Sequence, residues 1–143
     1  MGTNYRIVID TNVLVSALRS RLGASFVLLS RLELGQFQPV VTVPLLMEYA
    51  DVLHRPGLVP IATDAIDAVL DRVCAVSVRQ PIYFLWRPRL RDPKDDMVLE
   101  AAVNGQAEFI VTHNGADFID APNFSIAVVT PAQLLHLLEG DTL

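Results

Sequence analysis

The sequence predicts an α/β domain with a mainly parallel central sheet, and three observations carry that reading. Short runs such as "YRIVI" (5–9) and "EFIVT" (108–112) are apolar at nearly consecutive positions, as in strands covered on both faces. Segments of helical period separate them, and strands alternating with helices build parallel sheets. The 143 residues are 52% hydrophobic and only 19% charged, a balance that suits a doubly covered sheet.

The elements follow in order. "YRIVI" reads as a buried strand, "TNVLVSALR" as a short helix, and "ASFVLLSRLEL" as a second helix closed by Gly35. "FQPVVT" is a strand. "PLLMEYADVLH" is a helix with Pro44 near its first turn, ending before Pro56-Gly57. "TDAIDAVLDRVCA" is an amphipathic helix opened by Thr63 or Asp64, followed by a short strand "VSV". "RQPIYFLWRPRLRDP", with three prolines, reads as a loop. "KDDMVLEAAVNG" is a helix ending at Gly105, "EFIVT" a strand, and "HNGADFI" a turn. "SIAVV" is a further strand, and "TPAQLLHLLEG" a capped terminal helix.

The length predicts one domain over 1–143. A single cysteine, Cys74, allows no intrachain disulfide and predicts a reducing, cytoplasmic setting. "YRIVI" is too short for a signal sequence, and no apolar run is long enough for a membrane span. Net charge is −5, with one lysine, Lys94, among eleven basic residues, which argues against a broad non-specific nucleic-acid binder. It leaves room for a nuclease, because bound metal ions restore positive potential to an acidic pocket.

In α/β sheets ligands bind beyond the carboxyl ends of the strands. Asp10 stands there after "YRIVI", and read alone it is slightly better explained as a helix cap. Glu48 lies on the apolar stripe of Leu45, Tyr49 and Val52, where a carboxylate costs several kcal/mol unless paired or metal-bound. In "RDPKDDMVLEAA", Asp92 suits the N-cap, and Asp95 the acidic position of a capping box. Asp96 is not needed for capping and heads the core-facing stripe of Leu99 and Val103. Asn114 follows "EFIVT" and offers an oxygen ligand, although beside Gly115 it is by itself better explained as turn chemistry. Gathered carboxylates repel one another unless a cation joins them, and hard oxygen donors suit Mg2+ or Mn2+.

"IVIDTNVLVSAL", "VPLLMEYADVL", "RDPKDDMVLEAAVNGQAEFIVTHNGADF" and "VVTPAQLL" resemble, in order and spacing, the PIN domain family. The likeness is greatest to its bacterial branch of toxin components of toxin–antitoxin systems, related to VapC-like toxins. It implies a three-layer α/β/α domain with a mainly parallel sheet flanked by helices, and a Mg2+- or Mn2+-dependent endoribonuclease leaving 3′-hydroxyl and 5′-phosphate ends. The family's first acid falls on Asp10, its helix glutamate on Glu48 and its third acid on Asp96, which the resemblance makes catalytic and metal-holding. The fourth falls on Asn114, where many members have aspartate, with Asp117 three residues on as a further metal ligand. Thr11, Asn12 and Thr112 are expected to face substrate. Arg87, Arg89 and Arg91, beside Trp86, are expected to track the RNA backbone, although "WRPRLR" reads equally as a solvated charged loop. The expected partners are RNA, a cognate antitoxin and a second copy of the chain, with no membrane.

Rival aspartate-based phosphotransfer folds need a lysine at a late strand end, and Lys94 is not placed there. The other surviving reading is a catalytically degenerate PIN domain that binds RNA or protein without cutting.

Overall fold

The computed structural model describes residues 4–83 and 93–140. Trp86, Arg87, Arg89, Arg91 and Asp92 lie outside the described residues. The chain forms β1 (Tyr5–Ile9), α1 (Thr11–Arg19), α2 (Ala24–Ser30), β2 (Phe37–Val41), α3 (Val43–Leu53), α4 (Thr63–Val76) and β3 (Val78–Arg79). It continues through α5 (Pro93–Asn104), β4 (Phe109–Val111), β5 (Ala127–Val129) and α6 (Pro131–Leu138). All five strands are parallel, in the order β3-β2-β1-β4-β5. Helices flank the sheet in a three-layer α/β/α arrangement.

β1 is central because its second half, past Arg6, is apolar on both faces. Ile7, Val8 and Ile9 point to alternate faces and all are buried, so both faces of β1 are covered. The core spreads from there to Leu45, Tyr49 and Leu53 of α3, to Leu99, Ala101 and Ala102 of α5, and to Ile110 and Val111 of β4. Side chains fix two helix starts. Thr42 accepts a hydrogen bond from the Leu45 amide at 3.3 Å before α3, and Thr130 and Gln133 form a reciprocal capping box before α6. Among the described residues no single helix is long and apolar enough to cross a membrane.

The expected helix over 24–34 is shorter than its apolar pattern. The Ser30 hydroxyl donates to the Val27 carbonyl at 2.7 Å, the carbonyl that the Arg31 amide would take in a continuing helix. Arg31 bonds instead to Leu28, the chain tightens into a 3-10 turn over Leu32–Leu34, and Gly35 closes it at φ 75°. α4 extends through Val76, so β3 starts only at Val78, the last residue of the expected "VSV".

The C-terminal end of α5 sits so close to β2 that position 105 admits no side chain. A Cβ there would lie 2.5 Å from Val40 Cγ1 and 2.9 Å from the Ala101 carbonyl oxygen. The left-handed residue that ends the helix therefore falls on Gln106, at φ 53°, instead of on the glycine. Gly105→Ala should lower stability by about 1–3 kcal/mol through overpacking, read as a shifted urea midpoint. A midpoint unchanged within error would show that α5 can slide away from β2.

Candidate active site

The order of strands reverses at β1. The chain steps outward through β2 to β3, then crosses back and continues through β4 to β5. Such a reversal opens a crevice beyond the carboxyl ends of the strands on either side of it, here β1 and β4. The Asp10 amide donates to the Val111 carbonyl at 2.9 Å, so the two strands stay paired up to the point where their loops begin. A cleft of about 360 Å3 opens there, and Asp10, Asn12 and Asn114 line it from these loops.

Asp10 occupies the N-cap position of α1, but its side chain makes no cap hydrogen bond. The carboxylate turns across the sheet instead, and its Oδ2 accepts the Thr112 hydroxyl at 2.7 Å. Capping, slightly preferred from the sequence, does not account for this side chain. Burial pushes the Asp10 carboxyl above its ordinary range, and the Asp117 charge pushes the same way. Hydrogen bonds from Thr112 and the Thr11 amide, with His113 nearby, pull it back in part.

Thr112 is the hub of this corner. It is 1% exposed, and its hydroxyl, while donating to Asp10, accepts from Asn12 Nδ2 at 3.3 Å and from the Asn114 amide at 3.0 Å. The His113 amide donates to Asn12 Oδ1 at 3.4 Å, and its Nε2 lies 2.9 Å from the hydroxyl of the buried Ser25 on α2. The β1 and β4 loops are thereby tied together and to the helix layer.

α3 supplies the opposite wall. Its Tyr49 hydroxyl donates to the Ile9 carbonyl at the end of β1, and burial together with the Asp10 charge pushes that phenol up. This tie anchors α3 beside Asp10. Glu48 is the preceding residue, and Val52 and Arg55 follow on its face; all three line the cleft. Glu48 is only 8% exposed, and its Oε1 accepts no hydrogen bond. The charge that meets it is Lys94 of α5, whose Nζ lies 3.9 Å from Oε1.

The first turn of α5 departs from expectation in detail. Asp95, assigned from its spacing to a capping box, lines the cleft with Lys94. Asp96 is 2% exposed, on the buried face it shares with Leu99, and is not among the residues lining the cleft. Asp117, in the 3-10 turn Gly115–Phe118, completes the acidic rim. Spacing overlooked Arg55, which lies seven residues beyond Glu48, just past the end of α3. Thr112 as hub carried little local signal, because its two side-chain partners, Asp10 and Asn12, are about a hundred residues away.

The donors facing the cleft are carboxylate and amide oxygens, the set that hard divalent cations take. The unbonded buried oxygen of Glu48 and the raised carboxyl of Asp10 both call for positive charge. Among the described residues no three acidic, histidine or cysteine side chains already sit as close as direct ligands of one ion. The acids ring the space rather than pre-forming a shell. That still fits Mg2+, which keeps several waters and needs only one or two protein carboxylates.

A parallel α/β domain with an oxygen-lined acidic cleft at the switch point of its sheet has donors of the kind that divalent cations take. The PIN domain profile matches residues 6–116, most of the chain, and the chain belongs to the PIN domain family. PIN domains are generally nucleases and typically bind divalent metals. The match reaches from β1 past Asn114 and leaves Asp117, β5 and α6 beyond it. No curated protein matches the chain.

Proposed function

We propose that the protein is a Mg2+- or Mn2+-dependent endoribonuclease that hydrolyses RNA phosphodiester bonds, and the toxin of a cytoplasmic toxin–antitoxin pair. The observation that carries the nuclease reading is Glu48: a buried carboxylate with an oxygen lacking any hydrogen bond, lining one cleft with Asp10. Asp10 and Glu48 would hold the metal directly or through water, with Asp96, Asn114 and Asp117 as the further candidate ligands. A bound ion supplies charge neutralisation at the scissile phosphate and a lowered pKa for the attacking water. The chain's own part is orientation. Thr112 fixes the rotamer of Asp10, Tyr49 seats α3, and Asn12 and Thr11 stand beside the first acid where substrate enters. Arg87, Arg89 and Arg91 would follow the RNA backbone.

Purified protein should cut single-stranded RNA in Mn2+ or Mg2+, stop in EDTA, and leave 3′-hydroxyl and 5′-phosphate ends. Intact RNA at every metal concentration would favour the degenerate, binding-only reading, which the Lys94–Glu48 ion pair also supports. Asn114→Asp should lower the metal concentration needed for half-maximal cleavage, because a carboxylate replaces an amide on the cleft rim. An unchanged requirement would mean that Asn114 serves only its turn.

The toxin role rests on the family branch the sequence resembles. Expression should arrest growth, and co-expression of a small neighbouring antitoxin gene should relieve it. A homodimer is supported by Val43 and Met47, exposed apolar side chains one turn apart on α3.

A further inference from the structure

We propose that Lys94 is a tethered cation that stands in for the metal at Glu48, so that the site must displace its own lysine before an ion can bind. The inference rests on the metal-site reading of Glu48. Glu48 is 8% exposed, so its charge needs compensation, and its Oε1 receives no hydrogen bond that would provide it. Lys94 Nζ lies 3.9 Å away, close enough for charge attraction and too far for a hydrogen bond. A carboxylate with a cation at that distance is neutralised but not saturated, and its lone pairs stay available to a ligand. Lys94 is itself 51% exposed, on a long flexible stem at the cleft mouth, so leaving Glu48 costs it little desolvation.

The exchange this implies is simple in charge. With the cleft empty of metal, Lys94 balances Glu48. When a divalent ion takes Glu48, like charges repel the ammonium, and the nearest anion entering the same cleft is a phosphodiester. Lys94 then moves from Glu48 to the phosphate. Metal and nucleic acid should each favour the binding of the other, because each removes a competitor of the other.

Lys94→Gln should therefore bind Mn2+ in calorimetry, without RNA, roughly three- to tenfold more tightly than the parent, the scale of a half-exposed ion pair. Arg55→Gln removes a charge from the same cleft but not from Glu48, and should change the affinity less. In a Glu48→Gln background, Lys94→Gln should have no further effect, since its competitor is gone. A second readout needs no metal: in EDTA, Lys94→Gln should melt below the parent, and saturating Mn2+ should close the gap. Equal Mn2+ affinity in parent and Lys94→Gln, or equal gains from Lys94→Gln and Arg55→Gln, would overturn the proposal while leaving an Asp10-dependent metal site standing. Failure of both parent and Lys94→Gln to bind Mn2+ would overturn the metal-site reading with it.

Discussion

Asp10→Asn should abolish metal-dependent RNA cleavage and, in EDTA, make the protein more stable. The loss of activity follows from removing the buried carboxylate at the switch point, and should exceed about 100-fold, the most that outer-shell partners of a metal typically cost. The gain in stability follows from the raised carboxyl. Burial and the Asp117 charge disfavour the ionised form in the folded protein. The folded pKa thus lies above the unfolded one. For an acid with that sign, stability is fully present below the ordinary value of 3.8 and is lost as pH rises through the folded pKa. At neutral pH the parent carries that full penalty, whereas asparagine, neutral at every pH, carries none. Asparagine keeps an oxygen to accept the Thr112 hydroxyl, so the hub survives the exchange. Melting in EDTA should rise by about 2–4 °C for each kcal/mol relieved. The difference between variant and parent should shrink as pH falls below the carboxylate range. A variant that is inactive and also less stable at neutral pH would show that Asp10 is structural, its charge needed by Thr112 and the Thr11 amide.

That pairing of opposite effects reflects what a local sequence pattern can and cannot convey. Parallel order was legible because the strands are apolar at consecutive positions, and Glu48 was conspicuous because a carboxylate interrupts an apolar stripe. Asp10 was ambiguous for a physical reason: the end of a strand and the N-cap of a helix are the same residue in a βα unit, and only the direction of the side chain separates the readings. That direction is set by Thr112, 102 residues away. Arg55 and Lys94 were illegible as a pair of cations in an acidic cleft because one follows the end of α3 and the other lies in the first turn of α5, brought together only by packing. The helix over 24–34 was overextended because Ser30 competes for a backbone carbonyl, an effect that hydrophobic spacing does not register.

The last expectation concerns two adjacent aspartates. α5 turns by about 100° per residue, so Asp95 and Asp96 cannot face the cleft squarely together. The family position falls on Asp96, and the geometry turns Asp95 toward the cleft while Asp96 lies beneath at 2% exposure. Depth does not disqualify Asp96. Asp10 and Glu48 are also nearly buried, and acids that bind an ion inside a fold are sheltered, whereas an aspartate on the exposed side of a helix start suits the dipole without any metal. Asp96→Asn should therefore reduce metal-dependent cleavage by more than about 100-fold. It should leave folding nearly intact, since asparagine matches the shape and relieves carboxylate repulsion. Asp95→Asn should retain most of the activity and weaken Mn2+ binding only as a nearby charge does. Parallel cleavage rates and Mn2+ titrations on the two variants separate the roles. If Asp95→Asn is the dead enzyme and Asp96→Asn the active one, the third acid of this chain stands one residue earlier than the family spacing places it, and Asp96 serves the packing of α5 against the sheet.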